Sequence, residues 1–383
     1  MAFPPAPEPP TALGRHRVLS PTCGLRVSPL SLGAMSIGDA WKDFMGSMDK
    51  KASFELLDAF YDAGGNFIDT ANNYQNQQSE EWIGEWLTER NNRDELVIAT
   101  KYTTMYDYGA KDRSNKWGNS YKSMFVSLEA SLKKLKTHYV DILYLHWWDW
   151  TTSIEEVMQG LNNLVKSGKV LYLGVSDTPA WIVSSANRYA RDHGLAQFVI
   201  YQGRWNVIQR DFERDILDLA RHEGMALAPW NVLGGGKFQT KEQIEERKKQ
   251  GEGLRSIMGS GEQSEQEEKI SAALEKVRSE VGGKSITAVA LAYVLQKQPY
   301  VFPIVGGRKV SHLMDNINAL EIHLTDEQFQ HLESVVPFDV GFPKDMFGGD
   351  PAANGGNLNF LAEQGGKIDF VTIAGAIGKV QKK

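Results

Sequence analysis

The chain has one cysteine, Cys23, so no intramolecular disulfide can staple it. None of its apolar runs approaches the ~18 residues that a membrane-spanning helix requires. The Pro-rich start, MAFPPAPEPPTALG, lacks the apolar core of a signal peptide. No His/Cys/carboxylate cluster falls at metal-ligand spacing. No G-x-G-x-x-G follows the first apolar run, which argues against a Rossmann nucleotide site. Basic residues (42) do not outnumber acidic ones (48), and the net charge of −6 is spread with mixed signs, so no nucleic-acid footprint is visible. The sequence therefore points to a soluble, cytoplasmic chain with no metal, membrane or nucleic-acid partner; its oligomeric state is not legible.

What the chain does have is a repeat. Short apolar runs recur at Leu30–Met35, Asn66–Ala71, Leu96–Lys101, Asp141–Trp148, Val170–Asp177, Phe198–Gly203, Met225–Trp230 and Tyr300–Gly307. Between most of them lies an amphipathic stretch of helical length. Eight strand–helix units predict a parallel sheet closed into a (β/α)8 TIM barrel. One such unit accommodates most of the 383 residues. The expected organisation is a flexible N-terminal arm over 1–16, the barrel over 17–336, and a C-terminal tail over 337–383. Arg17–Ser28 is expected to form a hairpin plugging the barrel bottom. Asp177, followed by Thr178 and Pro179, reads as a helix N-cap. Insertions at 102–119 and 234–266 follow strand ends and should overhang the catalytic face as long loops, and the charge run KEQIEERKKQGEG in the second reads as a solvated helix or lid.

Barrels of this kind carry their chemistry at the C-terminal strand ends. There the sequence places Asp69 and Tyr74, Lys101, and His146 after the second, third and fourth runs. A buried lysine needs a counter-charge, which Asp69 can supply. A cation beside a phenol lowers its pKa, so Tyr74 could exchange a proton near neutral pH. A lone histidine at a strand end is more often a satisfied core residue, but four such groups on adjacent strands form a site. At the far end of the chain, Gly306, Gly307, Arg308 and Lys309 precede a predicted helix. Backbone amides, a helix N-terminus and two cations suit the 2′-phosphate of NADP.

The chain resembles the aldo-keto reductase family. The resemblance lies in NFIDTANNY (66–74), IATK (98–101), YVDILYLHW (139–147), GVSD (174–177), IYQ (200–202) and PIVGGRKVSHLMDN (303–316), in the family's order over roughly residues 25–335. LYLHWWDWTTSIEEVM and LAPWNVLGGGKF look closest to its fungal aryl-alcohol dehydrogenase and norsolorinic acid reductase branch. The resemblance implies a catalytic tetrad of Asp69, Tyr74, Lys101 and His146. It also implies an NADP(H) site in which Ser176 and Gln202 hold the carboxamide while His312, Asp315 and Asn316 lie near the adenine and its ribose. Two positions depart from the pattern. Asp177 stands where many relatives have Asn or Arg, and Leu227 where many have an aromatic stacking on the nicotinamide, with Trp230 just beyond as the alternative.

Among the aromatics near the proposed mouth, Trp147, Trp41 and Tyr102 are the candidate substrate contacts, suited to a planar aromatic carbonyl. The implied function is NADPH-dependent reduction of aldehydes or ketones to alcohols, with Tyr74 as general acid. Two alternatives stay open at this level: a non-catalytic nucleotide-binding regulatory module on the same scaffold, and an isomerase or aldolase using Lys101 as a Schiff-base nucleophile.

Overall fold

Residues Val97–Tyr102 and Val140–Leu145 are buried at every position, as strands covered on both faces must be. A computed structural model describes residues 3–46, 48–249 and 262–377. In it these runs are the third and fourth of eight parallel barrel strands. The strands are β3 (Ser31–Gly33), β4 (Phe67–Asp69), β5 (Val97–Tyr102), β6 (Val140–Leu145), β7 (Val170–Ser176), β8 (Phe198–Arg204), β9 (Ala226–Trp230) and β10 (Ile304–Val305). They pair in the order β10-β3-β4-β5-β6-β7-β8-β9. The seam between β9 and β10 is closed by a parallel bridge from Leu227 to Val301, with Leu227 N donating to Tyr300 O at 2.9 Å and Phe302 N to Leu227 O at 2.8 Å.

Strand alternation divides the apolar residues into two cores. Phe67, Val97, Ala99, Ile142, Tyr144, Ile200, Ala226, Ala228 and Phe302 fill the lumen, while the opposite faces meet the surrounding helices. Gly174 also faces the lumen, where an added Cβ would come within 2.4 Å of the Tyr144 ring, so no larger residue fits. The antiparallel hairpin of β1 (Arg17–Ser20) and β2 (Cys23–Val27) places Leu19, Cys23 and Val27 in the lumen core beside the strand starts, plugging the bottom as expected.

The flanking helices follow the sequence signals. Asp49, Ser120 and Ser153 cap Lys50–Asp62, Tyr121–Lys134 and Ile154–Lys166, each accepting a backbone N–H in the first turn. Asp177 does not cap the helix Ala180–His193; Pro179 stands at that position, and the carboxylate of Asp177 turns to other partners. The expected flexible arm is corrected at its end: Leu13 is fully buried in the outer core and Thr11 Oγ1 donates to Ala63 O at 2.7 Å, because burying Leu13 fixes the segment against the first flanking helix. In the insertion after β9, Lys241–Lys249 forms a helix, while residues 250–261, which include the end of the charge run, lie outside the described residues. The tail runs back along the barrel: Lys344 pairs with Asp218 and donates to Glu213 O at 2.9 Å. No described helix is long and apolar enough to cross a membrane.

Candidate active site

Lys101 is fully buried, which costs several kcal/mol unless the charge is paired. Its position on β5 places it in the lumen, in register beside Tyr144 of β6. Its Nζ donates to Asp69 Oδ1 at 2.5 Å and to Thr70 O at 2.8 Å, and reaches Tyr74 Oη at 3.5 Å. Burial opposes its charge, yet the Asp69 carboxylate and Tyr74 together hold its pKa above the ordinary lysine value. The second carboxylate oxygen of Asp69 accepts Gln202 Nε2 at 2.9 Å.

Tyr74 follows β4, its ring edge-on to Trp41 (centroids 6.2 Å) and to His146 (6.1 Å). The sequence expectation of a lowered phenol pKa is corrected here. Burial raises it above 10 and outweighs Lys101, whose charge Asp69 already balances. The phenol therefore stays protonated and is poised to donate. Burial and then Lys101 push His146 well below 6.5, so the imidazole is neutral. Its Nδ1 lies 3.1 Å from Thr104 Oγ1, which also accepts Trp147 Nε1–H at 3.0 Å. Trp147 stacks on Trp117 with centroids 6.2 Å apart.

The wall behind these groups is tied by one buried carboxylate. Asp149 accepts from Asn119 N and from the backbone and hydroxyls of Thr151 and Thr152, while Asn119 Nδ2 donates to Thr103 Oγ1 and Trp147 O. This knot joins the long loop after β5 to the loop after β6. The link between Asn119 and Asp149 is invisible in the sequence, because the two stand 30 positions apart.

Farther round the rim, Ser176 Oγ donates to Asp177 Oδ2 at 2.9 Å and Trp230 Nε1 to Asp177 Oδ1 at 3.3 Å. Asp177 thus gathers Ser176 and Trp230 from the ends of β7 and β9, across the intervening β8. Leu227 does not join them. It is 2 % exposed and packs in the outer core, because period-two alternation turns 226, 228 and 230 inward and 227 outward. The same rule removes Tyr102: with Lys101 inward, Tyr102 faces the helices and is buried in the outer core, so it is no substrate contact. Trp41 and Trp147 remain at the mouth; Trp41 is anchored by Nε1 donating to Asn76 Oδ1 at 2.9 Å.

Gly306, Gly307, Arg308 and Lys309 lead from β10 into the helix Val310–Ile317, and no side chain caps that helix at Lys309. Its first backbone N–H groups suit an anion. The Arg308 guanidinium lies against Gly46 (φ 72), where an added Cβ would overlap it at 1.7 Å, so this cation occupies space that only glycine leaves open. Asn316 is buried. Asp315 is committed elsewhere: Oδ2 accepts Ser285 Oγ at 2.5 Å and Thr287 Oγ1 at 2.9 Å, tying two helices together. Among the described residues, no cluster of three metal-ligating side chains is present.

Comparison with known proteins agrees with this architecture. The sequence model described as the aldo/keto reductase family matches residues 29–337. A protein of Phanerodontia chrysosporium named as an NADP(+) aryl-alcohol dehydrogenase is 58% identical over 95% of this chain and 96% of its own. Aldo-keto reductase ausK of Emericella nidulans is 56% identical over 98% and 95%. Norsolorinic acid reductase B of Dothistroma septosporum is 54% identical over 94% and 93%. With the barrel, the buried lysine–aspartate pair and these similarities together, the chain belongs to the aldo/keto reductase family and is an oxidoreductase.

Proposed function

We propose that this protein reduces an aldehyde or ketone, of aromatic character, to the alcohol with NADPH, and that the reaction is reversible. The observation that carries the reading is the buried Lys101–Asp69 pair with Tyr74 Oη 3.5 Å from the ammonium. The residues present fit the cofactor: Ser176, Gln202 and Trp230 surround the mouth, while the glycine-rich turn with Arg308 and Lys309 offers amides and charge to a 2′-phosphate. When bound, NADPH supplies the hydride.

The protein's own groups manage the proton and the developing charge. A carbonyl oxygen between Tyr74 and His146 gains negative charge as its carbon is reduced. Tyr74 donates its proton to that oxygen, and Lys101 stabilises the phenolate left behind. Asp69 keeps Lys101 charged in a dry lumen. The neutral His146 can donate to the same oxygen without adding a second cation beside Lys101. Trp41 and Trp147 offer ring faces and edges to an aryl group, and the names of the relatives are consistent with such a substrate.

The direct test is NADPH oxidation by purified protein against aryl aldehydes and ketones of increasing size, with product identification. Saturable turnover to the alcohol is expected. Turnover only at trace level across the panel, despite NADPH binding, would overturn the reading in favour of a nucleotide-responsive regulatory role.

A further inference from the structure

Thr104 lies beyond the end of β5, where simple alternation from Lys101 would send an even-numbered residue outward, as it sends Tyr102. Thr103 breaks that alternation with φ 91, a costly value for a β-branched residue. The strain is held by three hydrogen bonds: His146 N and Asn119 Nδ2 donate to Thr103 Oγ1, and Gly118 N to Thr103 O. Thr104 is fixed in turn by Asn72, whose Nδ2 donates to Thr104 O at 3.0 Å. The result brings the Thr104 hydroxyl to His146.

We propose that Thr104, held by Trp147, fixes His146 in the tautomer protonated on Nε2 and so acts as a positioning residue for carbonyl reduction. An indole N–H can only donate, so Trp147 Nε1 occupies a lone pair of Thr104 Oγ1. The hydroxyl has one proton, and its other partner among the described residues is His146 Nδ1. Although a second lone pair remains on Oγ1, only donation to Nδ1 gives the hydroxyl proton an acceptor within this group, so Nδ1 accepts, and a neutral ring that accepts there carries its hydrogen on Nε2. Nε2–H is the form that can donate to a substrate oxygen; the other tautomer presents a lone pair and repels it. Trp147 thus does two things at once, shaping the pocket with its ring and setting the histidine with its N–H. The role in catalysis rests on the reductase reading above, whereas the tautomer does not.

The test combines 15N NMR of histidine-labelled protein, assigned with His146→Asn, and kinetics of Thr104→Val, Thr104→Ser and Trp147→Phe. The wild type should show His146 protonated on Nε2. Thr104→Val should shift the population toward the Nδ1–H form and lower kcat by at least ~10-fold with NADPH affinity unchanged. Thr104→Ser should recover most of both, and Trp147→Phe should move the tautomer in the same direction as Thr104→Val. A wild-type ring protonated on Nδ1 would overturn the proposal, as would Thr104→Ser failing as badly as Thr104→Val. If Thr104→Val does not fold, the wild-type and Trp147→Phe spectra decide. A wild type with Nε2–H that turns over no carbonyl would support the tautomer and sink the reductase reading.

Discussion

Gln202 Nε2 donates to Asp69 Oδ2 across the lumen, from β8 to β4 on the opposite side of the barrel, at 2.9 Å. Asp69 therefore serves two partners, with one oxygen on Lys101 and the other on a residue of the proposed carboxamide site. Under the proposed function, the proton-transfer and cofactor halves of the pocket would share this carboxylate, so disturbing either should be felt by the other.

Tyr74→Phe should lower reduction by about 10²–10⁴-fold while NADPH affinity stays within a few-fold, since the phenol proton is needed only in the transition state. Lys101→Met should be as damaging, and the double variant little worse than either, because the two act as a unit. Lys101→Met should also cost about 3–5 kcal/mol in urea unfolding by leaving Asp69 buried without its cation. Asp69→Asn in that background should recover part of the stability and none of the activity. Additive kinetic losses would separate Lys101 from Tyr74.

Acid should destabilise the protein through His146. Its native pKa is held well below 6.5 by burial and by Lys101. As pH falls below 6.5 the unfolded chain takes up a proton there that the native chain refuses, so stability is lost down to the native value; above 6.5 the residue is neutral in both states and adds no slope. Urea titrations at about pH 7.5 and about pH 5.5 should show a smaller loss for His146→Asn than for the wild type. At the alkaline end, Tyr74 titrates above 10, so reduction should hold through neutral pH and decline only there.

Cofactor preference should follow the basic turn. NADPH should bind at least ~10-fold more tightly than NADH, one decade corresponding to about 1.4 kcal/mol. Arg308→Ala should erode that preference mainly through NADPH, and rising salt should shrink it. Fluorescence titrations of both cofactors at two ionic strengths measure this directly; equal affinities in the wild type would reduce the turn to a surface feature.

Leu227 and Trp230 should separate cleanly. Leu227→Ala should cost about 2–5 kcal/mol of stability with little change in cofactor affinity, because the side chain fills the outer core. Trp230→Leu should do the reverse, since its indole holds Asp177 beside Ser176. A loss of cofactor affinity in a stably folded Leu227→Ala protein would contradict the outward orientation.

The sequence determined a great deal by itself. Eight apolar runs separated by stretches of helical length are the pattern of a parallel sheet closed into a barrel, and the chemistry-bearing residues at their ends share one rim. Asp69, Lys101, Tyr74 and His146 were legible because each sits at or just after a strand end. What the tertiary structure alone decided was orientation. Leu227 and Tyr102 occupy the right strands but point outward, a matter of one residue in register, which run boundaries do not resolve. Thr104 points inward because Thr103 is held in a left-handed backbone by His146 from the loop after β6 and by Asn119 from the far end of its own loop. The net pKa of Tyr74 was likewise hidden, since it depends on how far burial outweighs a cation whose charge is already balanced. Strand positions follow from local periodicity, whereas the direction of a side chain and the strength of its field depend on contacts distant in sequence.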